Sequence, residues 1–236
     1  MMRTLLRLLF PPKCVFCGRV TENENFAVCE DCLPHIPLNR RACRNCGTPL
    51  DTVYGDWMCT TCRKRKRAFT RAYVPFVYKD IAREAILRFK FGGRRGSAGT
   101  LAAYILLKMR EMRAPRPDMI TFVPLHFTRL GVRGYNQAAL LARALGKMLG
   151  VPVQSTLRKM RNTPPQSKMS GRNRWAVQHD VFALKRDVDV AGKDVLLVDD
   201  VITTGATMHT CARHLKKAGA KTVEIAAAAA TSFVHK

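Results

Sequence analysis

Apolar residues recur along the chain from residue 68 onward in two alternating patterns. "DIAREAILRFKFGG" (80–93) and "NQAALLARALGKMLG" (136–150) repeat them at helical spacing and end at glycine. "DMITFVPL" (118–125) and "KDVLLVDD" (193–200) are short, continuous apolar runs that are typical of buried strands. Helices that alternate with such strands predict an α/β domain with a mostly parallel sheet flanked by helices.

Three further segments extend this pattern. "SAGTLAAYILLKMREM" (97–112) predicts a long helix with Ser97 as its N-cap. A helix over about 206–218 follows the acidic end of the strand at 195–198, and "KTVEIAAAAA" (221–230) predicts another buried strand. The last three elements therefore form a strand, helix, strand unit.

The length of 236 residues accommodates one ordinary domain and a smaller module. We place the module at residues 1–67 and the α/β domain at 68–236. The opening "MMRTLLRLLFPPKC" has Arg7 inside its apolar run and lacks a small-residue cleavage site, so we expect no export and a cytoplasmic protein. No stretch has the roughly 20 apolar residues of a membrane span, which argues against an integral membrane protein.

Eight of the nine cysteines form four CxxC pairs in the front module. Thiols two residues apart sit on a turn that directs both sulfurs at one metal, so we expect two structural Zn²⁺ sites. Disulfides and an iron–sulfur cluster are the alternatives, and a reducing compartment and the separated turns favour zinc over both. Interleaved pairs fit the spacing too. The sequential assignment is Cys14, Cys17, Cys29 and Cys32 for one site, and Cys43, Cys46, Cys59 and Cys62 for the other.

Positive charge dominates the composition, with 41 Lys and Arg against 17 Asp and Glu and a formal net charge of +24. Such a surface attracts polyanions or phosphorylated ligands. The run "RKRKR" (63–67) directly follows the last CxxC pair. It is either a solvated linker or a contact to a nucleic-acid backbone.

The end of the strand at 195–198 carries the clearest candidate chemistry. After Val198 come Asp199 and Asp200, and then a turn into a helix that is rich in hydroxyl groups. Free backbone N–H groups at a helix start bind a phosphate monoester, and the two carboxylates can accept hydrogen bonds from sugar hydroxyls. A sugar 5′-phosphate meets both demands. The turn consists of Thr203, Thr204, Gly205, Ala206 and Thr207.

The stretch "VLLVDDVITTGAT" (195–207) resembles the phosphoribosyl pyrophosphate (PRPP) motif of type I phosphoribosyltransferases. A Walker B strand is the alternative, but the chain contains no G-x-x-x-x-G-K-[ST] loop. The four CxxC pairs, "VPLHFTRLGVRGYNQAALLARAL" (123–145) and "LRKMRNTPPQSKMSGRNRW" (157–175) resemble the ComF family. This resemblance implies a type I phosphoribosyltransferase-like sheet preceded by a double zinc ribbon.

The resemblance also implies roles for residues outside the motif. Pro124, Leu125 and His126 are implied as backbone contacts to pyrophosphate, and Arg133 as a cation on the phosphate side. Asn136 is a site residue or an N-cap, and the cap is favoured. Lys90 matches a lysine of the family, although a surface lysine fits the pattern nearly as well.

The cationic segment 158–174 has no apolar periodicity and predicts a mobile loop. By resemblance its cations reach the departing pyrophosphate, whereas a plain solvated loop is the alternative. The cations are Arg158, Lys159, Arg161, Arg172 and Arg174.

The family implies a pentosyltransferase that uses PRPP and Mg²⁺, with Asp199 and Asp200 at its centre. No element that would bind the acceptor is recognisable. The rival hypothesis is a protein of DNA uptake that binds single-stranded DNA or another nucleic acid and cooperates with uptake machinery proteins. Its transferase fold would then be a PRPP sensor or inactive.

Overall fold

A parallel sheet lies at the centre of the computed structural model, which describes residues 11–21, 26–51, 57–160 and 181–232. Four of its strands lie in the order β1, β7, β6, β3, and β2 also pairs with β7. Every pairing is parallel, which confirms the predicted sheet. The strands are β1 (Ala72–Tyr73), β2 (Phe76–Val77), β3 (Met119–Phe122), β6 (Asp194–Ile202) and β7 (Thr222–Ala230). A separate antiparallel pair consists of β4 (Leu157–Lys159) and β5 (Phe182–Leu184).

Six helices accompany these strands in the described ranges, with a 3₁₀ turn at Glu30–His35. None of them is long and apolar enough to cross a bilayer. The sequence had predicted Ser97 as an N-cap. The structure places Gly96 there instead, because a turn from Arg94 already brings Gly96 into the helical conformation. The helices are α1 (Thr60–Lys64), α2 (Asp80–Phe91), α3 (Ser97–Glu111), α4 (Phe127–Arg133), α5 (Gln137–Leu149) and α6 (Ala206–Lys217).

The two faces of the sheet bury different residues of each strand, because neighbouring side chains on a strand point to opposite sides. Leu196 and Val198 of β6 face a core shared with α2, α3 and α5. Val195 and Leu197 face the other core, which includes α6. The apolar run of β6 is therefore buried on both faces.

The front module contributes to both cores. Its first two CxxC pairs pack with the core of α2 and α3, where the ring of Phe16 lies 5.6 Å from that of Phe76. Its last two pairs pack with the core of α6. Between them, the segment 37–39 hydrogen-bonds along β2, with Val77 N donating to Pro37 O over 2.8 Å. The module thus packs on both faces and on the β2 side of the sheet. The domain boundary at residue 67 stays a prediction.

Candidate functional site

Strand β6 carries the acidic pair inside the strand and not beyond it. Pairing with β7 continues through Asp199, opposite Ala227, to Ile202, because the alanines of β7 offer an unbroken partner. The turn then occupies 203–205, and Gly205 takes a φ of 71°, which favours glycine. The helix α6 begins at Ala206, as the sequence had predicted, so Ala206 and Thr207, which were also assigned to the turn, lie in its first helical turn.

The turn presents a helix start to the same edge of the sheet as the carboxylates. Thr204 is buried, and its Oγ1 accepts a hydrogen bond from Ala206 N over 3.4 Å. Thr203 and Thr207 are partly exposed. Because the first N–H groups of a helix lack partners within that helix, the start of α6 suits a phosphate group.

Asp199 and Asp200 lie side by side and partly buried. Asp200 N donates a hydrogen bond to Asp199 Oδ1 over 2.8 Å. Burial and the neighbouring charge of Asp200 raise the pKa of Asp199 to about 7. The pair therefore resists holding two negative charges at neutral pH.

Lys90, near the end of α2, is the cation that faces this pair. Its Nζ lies 3.0 Å from Asp200 Oδ1, and the two side chains are only 18% and 14% exposed. Burial lowers the pKa of Lys90, but attraction to Asp200 outweighs that effect, so its pKa is raised overall. Lys90 therefore lies against the acidic pair and is not an exposed surface lysine.

The end of α2 is fixed by residues at the start of α5. Gln137 Nε2 donates to Lys90 O over 3.2 Å, and Tyr135 donates to Phe89 O over 2.5 Å. Arg133 Nη1 in turn donates to Gln137 Oε1 over 3.2 Å. Arg133 thus supports the backbone that carries Lys90.

The residues after β3 lie beside the acidic pair, because Phe122 pairs with Val198. Pro124 and Leu125 are half-buried there. His126 is buried, and its Nδ1 accepts a hydrogen bond from Thr128 N over 3.4 Å at the start of α4. Their contact to pyrophosphate stays a prediction.

Asn136 is the N-cap of α5, the alternative that the sequence favoured. Its Oδ1 accepts a hydrogen bond from Ala139 N over 3.3 Å. Its Nδ2 donates to Val123 O over 3.0 Å, which ties α5 to the loop after β3. Asn136 therefore supports the loop that lies beside the acidic pair.

The cationic segment begins as a strand, so the predicted loop is wrong for Arg158 and Lys159, which belong to β4. Arg158 is exposed. The charge of Lys159 acts to lower the pKa of Asp199, although burial and Asp200 outweigh it. The segment thus starts near the acidic pair. Arg161, Arg172 and Arg174 lie outside the described residues.

The cysteine pairs assemble sequentially and not interleaved. The sulfurs of the first two pairs lie within 4.8 Å of one another, and so do those of the last two. The sulfurs of Cys17 and Cys29 are 3.6 Å apart, and those of Cys46 and Cys59 are 3.7 Å apart. Tetrahedral Zn–S bonds of about 2.3 Å place sulfurs about 3.8 Å apart, whereas a disulfide requires about 2.05 Å. Both groups therefore fit Zn²⁺ and exclude disulfides.

Arg67 lies against the turn, a contact that the sequence did not predict. As the last residue of the basic run it was expected in solvent or on nucleic acid, but it is only 6% exposed. Its Nη2 donates to Thr204 O over 3.3 Å. Nothing in "RKRKR" distinguishes Arg67 from its neighbours, because burial comes from the distant turn.

Comparisons with known proteins agree with this geometry. A family model described as a phosphoribosyl transferase domain matches residues 132–232, and one described as a double zinc ribbon domain matches residues 5–63. The fold and the site therefore define a protein with a type I phosphoribosyltransferase domain and an N-terminal double zinc ribbon.

Relatives cover most of the chain. Competence protein ComFC of Bacillus subtilis is 30% identical over 81% of this chain and 79% of its own length. Competence protein F of Haemophilus influenzae is 28% identical over 90% and 94%, and DNA utilization protein YhgH of Escherichia coli K12 is 28% identical over 92% and 96%. The chain belongs to the ComF family, as the motifs had predicted.

A glutamine PRPP amidotransferase from Bacillus subtilis is 21% identical, with a TM-score of 0.39 over 60% of this chain and 30% of that one.

Proposed function

We propose that this protein binds PRPP with Mg²⁺ at the end of β6 and transfers its phosphoribosyl group to an acceptor. The observation that carries the proposal is the placement of a helix start and a carboxylate pair on one sheet edge. A single ligand with a phosphate and free sugar hydroxyls would engage both.

The 5′-phosphate would bind at the turn 203–205 and the first turn of α6. The backbone N–H groups there and the hydroxyls of Thr203 and Thr207 would donate to its oxygens. The positive φ of Gly205 gives the turn the shape that such a contact needs.

The ribose hydroxyls would donate hydrogen bonds to Asp199 and Asp200. Lys90 holds Asp200 in place and offsets part of its charge. Ionised Asp199 would also favour the positive charge that develops on the sugar ring, because preorganised charge stabilises a transition state in a partly buried site.

The pyrophosphate of PRPP would lie towards the loop after β3 and β4. Mg²⁺ keeps several waters and substrate oxygens, and the described carboxylates suit it poorly, because Lys90 already engages Asp200. The ion would therefore bind chiefly through the ligand, where it neutralises the departing pyrophosphate.

The reaction would break the bond between C1′ and the pyrophosphate oxygen and form a bond from C1′ to the acceptor. Pyrophosphate leaves with the bonding electron pair, and the acceptor supplies a new one. The chain would contribute positioning and charge complementarity, without a covalent intermediate on the protein.

Calorimetry tests the donor half of the proposal. The zinc-loaded protein should bind PRPP in the presence of Mg²⁺, and Asp199→Asn combined with Asp200→Asn should weaken binding by at least about tenfold, since each lost bond from a charged group is worth about 1.5–3 kcal/mol. Asp187→Asn changes an exposed carboxylate and is the matched control. Unchanged binding by the double variant would refute the assignment.

The transfer half needs a separate assay. Pyrophosphate release from PRPP should be followed in the presence of bases, nucleotides and nucleic acids. Release that depends on one acceptor class would identify the substrate. PRPP binding without release for any of them would favour a PRPP sensor.

A second candidate function is binding of single-stranded DNA. The net charge of +24 and relatives named as competence and DNA utilization proteins favour it. Affinity should then fall steeply as salt rises, because each neutralised phosphate releases counterions. Failure to bind at low salt would remove this candidate without affecting the first.

A further inference from the structure

We propose that Arg67 is a positioning residue that couples the second cysteine site to the phosphate-binding turn, so that metal at that site and PRPP stabilise each other's binding. The second cysteine site comprises Cys43, Cys46, Cys59 and Cys62. The inference rests on the proposed PRPP site, and it gives a regulatory meaning to part of the basic run.

One end of the coupling is the turn. The Arg67 guanidinium donates from Nη2 to Thr204 O, and its Nη1 lies 3.7 Å from the place where a Cβ on Gly205 would stand. A buried guanidinium therefore covers the inner side of the turn. Since Arg67 is only 6% exposed, this contact is sheltered from competing water.

The other end is the metal site. Cys62 lies on the short helix α1, and Arg67 follows that helix after two residues. The guanidinium carbon of Arg67 lies 6.0 Å from the ring centroid of Phe69, and Phe69 packs in the same core as the four cysteines. Residues that surround metal ligands help to fix the orientation of those ligands.

The next residue ties the same linker to α6. Ala68 N donates a hydrogen bond to His209 Nδ1 over 3.1 Å, and His209 N donates to Gly205 O over 2.9 Å. Two consecutive linker residues thus contact the turn and the first turn of α6. Movement of α1 on loss of its metal would be transmitted to both.

The first cysteine site lacks such a connection among the described residues. It packs on the opposite face of the sheet, where Arg88 donates to Phe16 O and Arg94 lies against Gly18. Neither contact involves the turn or α6. Coupling to the turn should therefore be confined to the second site.

The first experiment compares the full zinc-loaded protein with Arg67→Lys, and uses Lys66→Met as the control, because Lys66 is an exposed member of the same run. Hydrogen exchange at the amides of 203–207 should be faster in Arg67→Lys without any ligand, and exchange in α3 should be unchanged. Its PRPP affinity should fall by at least about tenfold, the loss expected for a buried bond from a charged group. Lys66→Met should match the wild type in both.

The second experiment measures zinc release from the wild type and from Arg67→Lys. Zinc transfer from the wild type to a chromophoric chelator should occur in two phases, and PRPP should slow one phase and not the other, because the coupling between two sites is reciprocal. In Arg67→Lys, PRPP should slow neither phase.

The outcomes separate the two proposals. If the wild type fails to bind PRPP, the proposed function fails, whereas the exchange comparison still tests the position of Arg67. Unchanged exchange at 203–207 in Arg67→Lys, or equal slowing of both zinc phases, would overturn the coupling.

Discussion

Replacement of Lys90 by Met tests how much the charge of Lys90 stabilises the carboxylate pair. The substitution keeps a long apolar side chain and removes the charge that lies 3.0 Å from Asp200 Oδ1. Asp200 is then left beside Asp199, with little water to screen either group. We expect lower stability and weaker PRPP binding.

The size of the effect follows from two bounds. Removal of one partner of a buried ion pair costs about 3–5 kcal/mol, and exposures of 18% and 14% favour the lower end. Uptake of a proton relieves the unpaired charge. For a carboxyl group with an ordinary pKa of about 3.9, this costs about 4 kcal/mol at pH 7 and about 1.5 kcal/mol at pH 5. The loss should therefore be about 3 kcal/mol at pH 7 and at most about 1.5 kcal/mol at pH 5.

Denaturant unfolding of the zinc-loaded protein at both pH values measures this loss. Lys79→Met is the matched control, because Lys79 forms a 3.7 Å ion pair with Asp80 in which both side chains are more than 60% exposed. That pair should contribute less than about 1 kcal/mol at either pH. Adding Asp200→Asn to Lys90→Met should recover most of the lost stability. A loss that is equal at pH 5 and pH 7, or no recovery in the double variant, would refute the argument.

Three other predictions concern the turn of the second zinc site, the acidic pair and the metal. Gly47→Ala should lower the free energy of unfolding by about 1–3 kcal/mol, because its φ is 74° and a Cβ would lie 2.5 Å from a methyl carbon of Val74; Gly93→Ala, with φ of 66° and open space, should cost less in the same denaturation assay. The free energy of unfolding should fall as the pH rises from 3.8 to about 7, since native Asp199 keeps a proton that the unfolded chain has lost. Asp199→Asn should flatten this pH dependence, and parallel pH profiles of the two proteins would contradict the prediction. Chelation of zinc should abolish cooperative thermal unfolding, and added Zn²⁺ should restore it, whereas an unchanged melting curve would exclude a structural metal.

Local patterns were sufficient to predict β6, α6 and β7. A continuous apolar run, a turn with glycine and an amphipathic segment each depend on neighbouring residues, so sequence spacing indicates them directly. The cysteine sites were predictable for the same reason. Even there the end of β6 was misplaced, because pairing with the alanines of β7 carries the strand through Asp199 and Asp200 to Ile202.

Contacts between segments that are distant in the sequence could not be predicted from the sequence. The pair of Lys90 and Asp200 joins α2 to β6, and the amino-acid sequence alone shows no partner for either residue. Arg67 looked like a solvated cation because its burial depends on Thr204. Strand β4 was not predicted, because it is short and pairs with β5, which follows residue 180 in the sequence. A linear pattern contains no information about such neighbours until the fold is known.

The position of the double zinc ribbon makes the fold depend on the supply of zinc in the cell. Its two halves cover opposite faces of one sheet, so neither core is complete without ribbon residues. A shortage of zinc would therefore destabilise the whole fold and not the ribbon alone. An N-terminal truncation intended to isolate the transferase domain would expose apolar surface on both faces and produce an aggregating fragment.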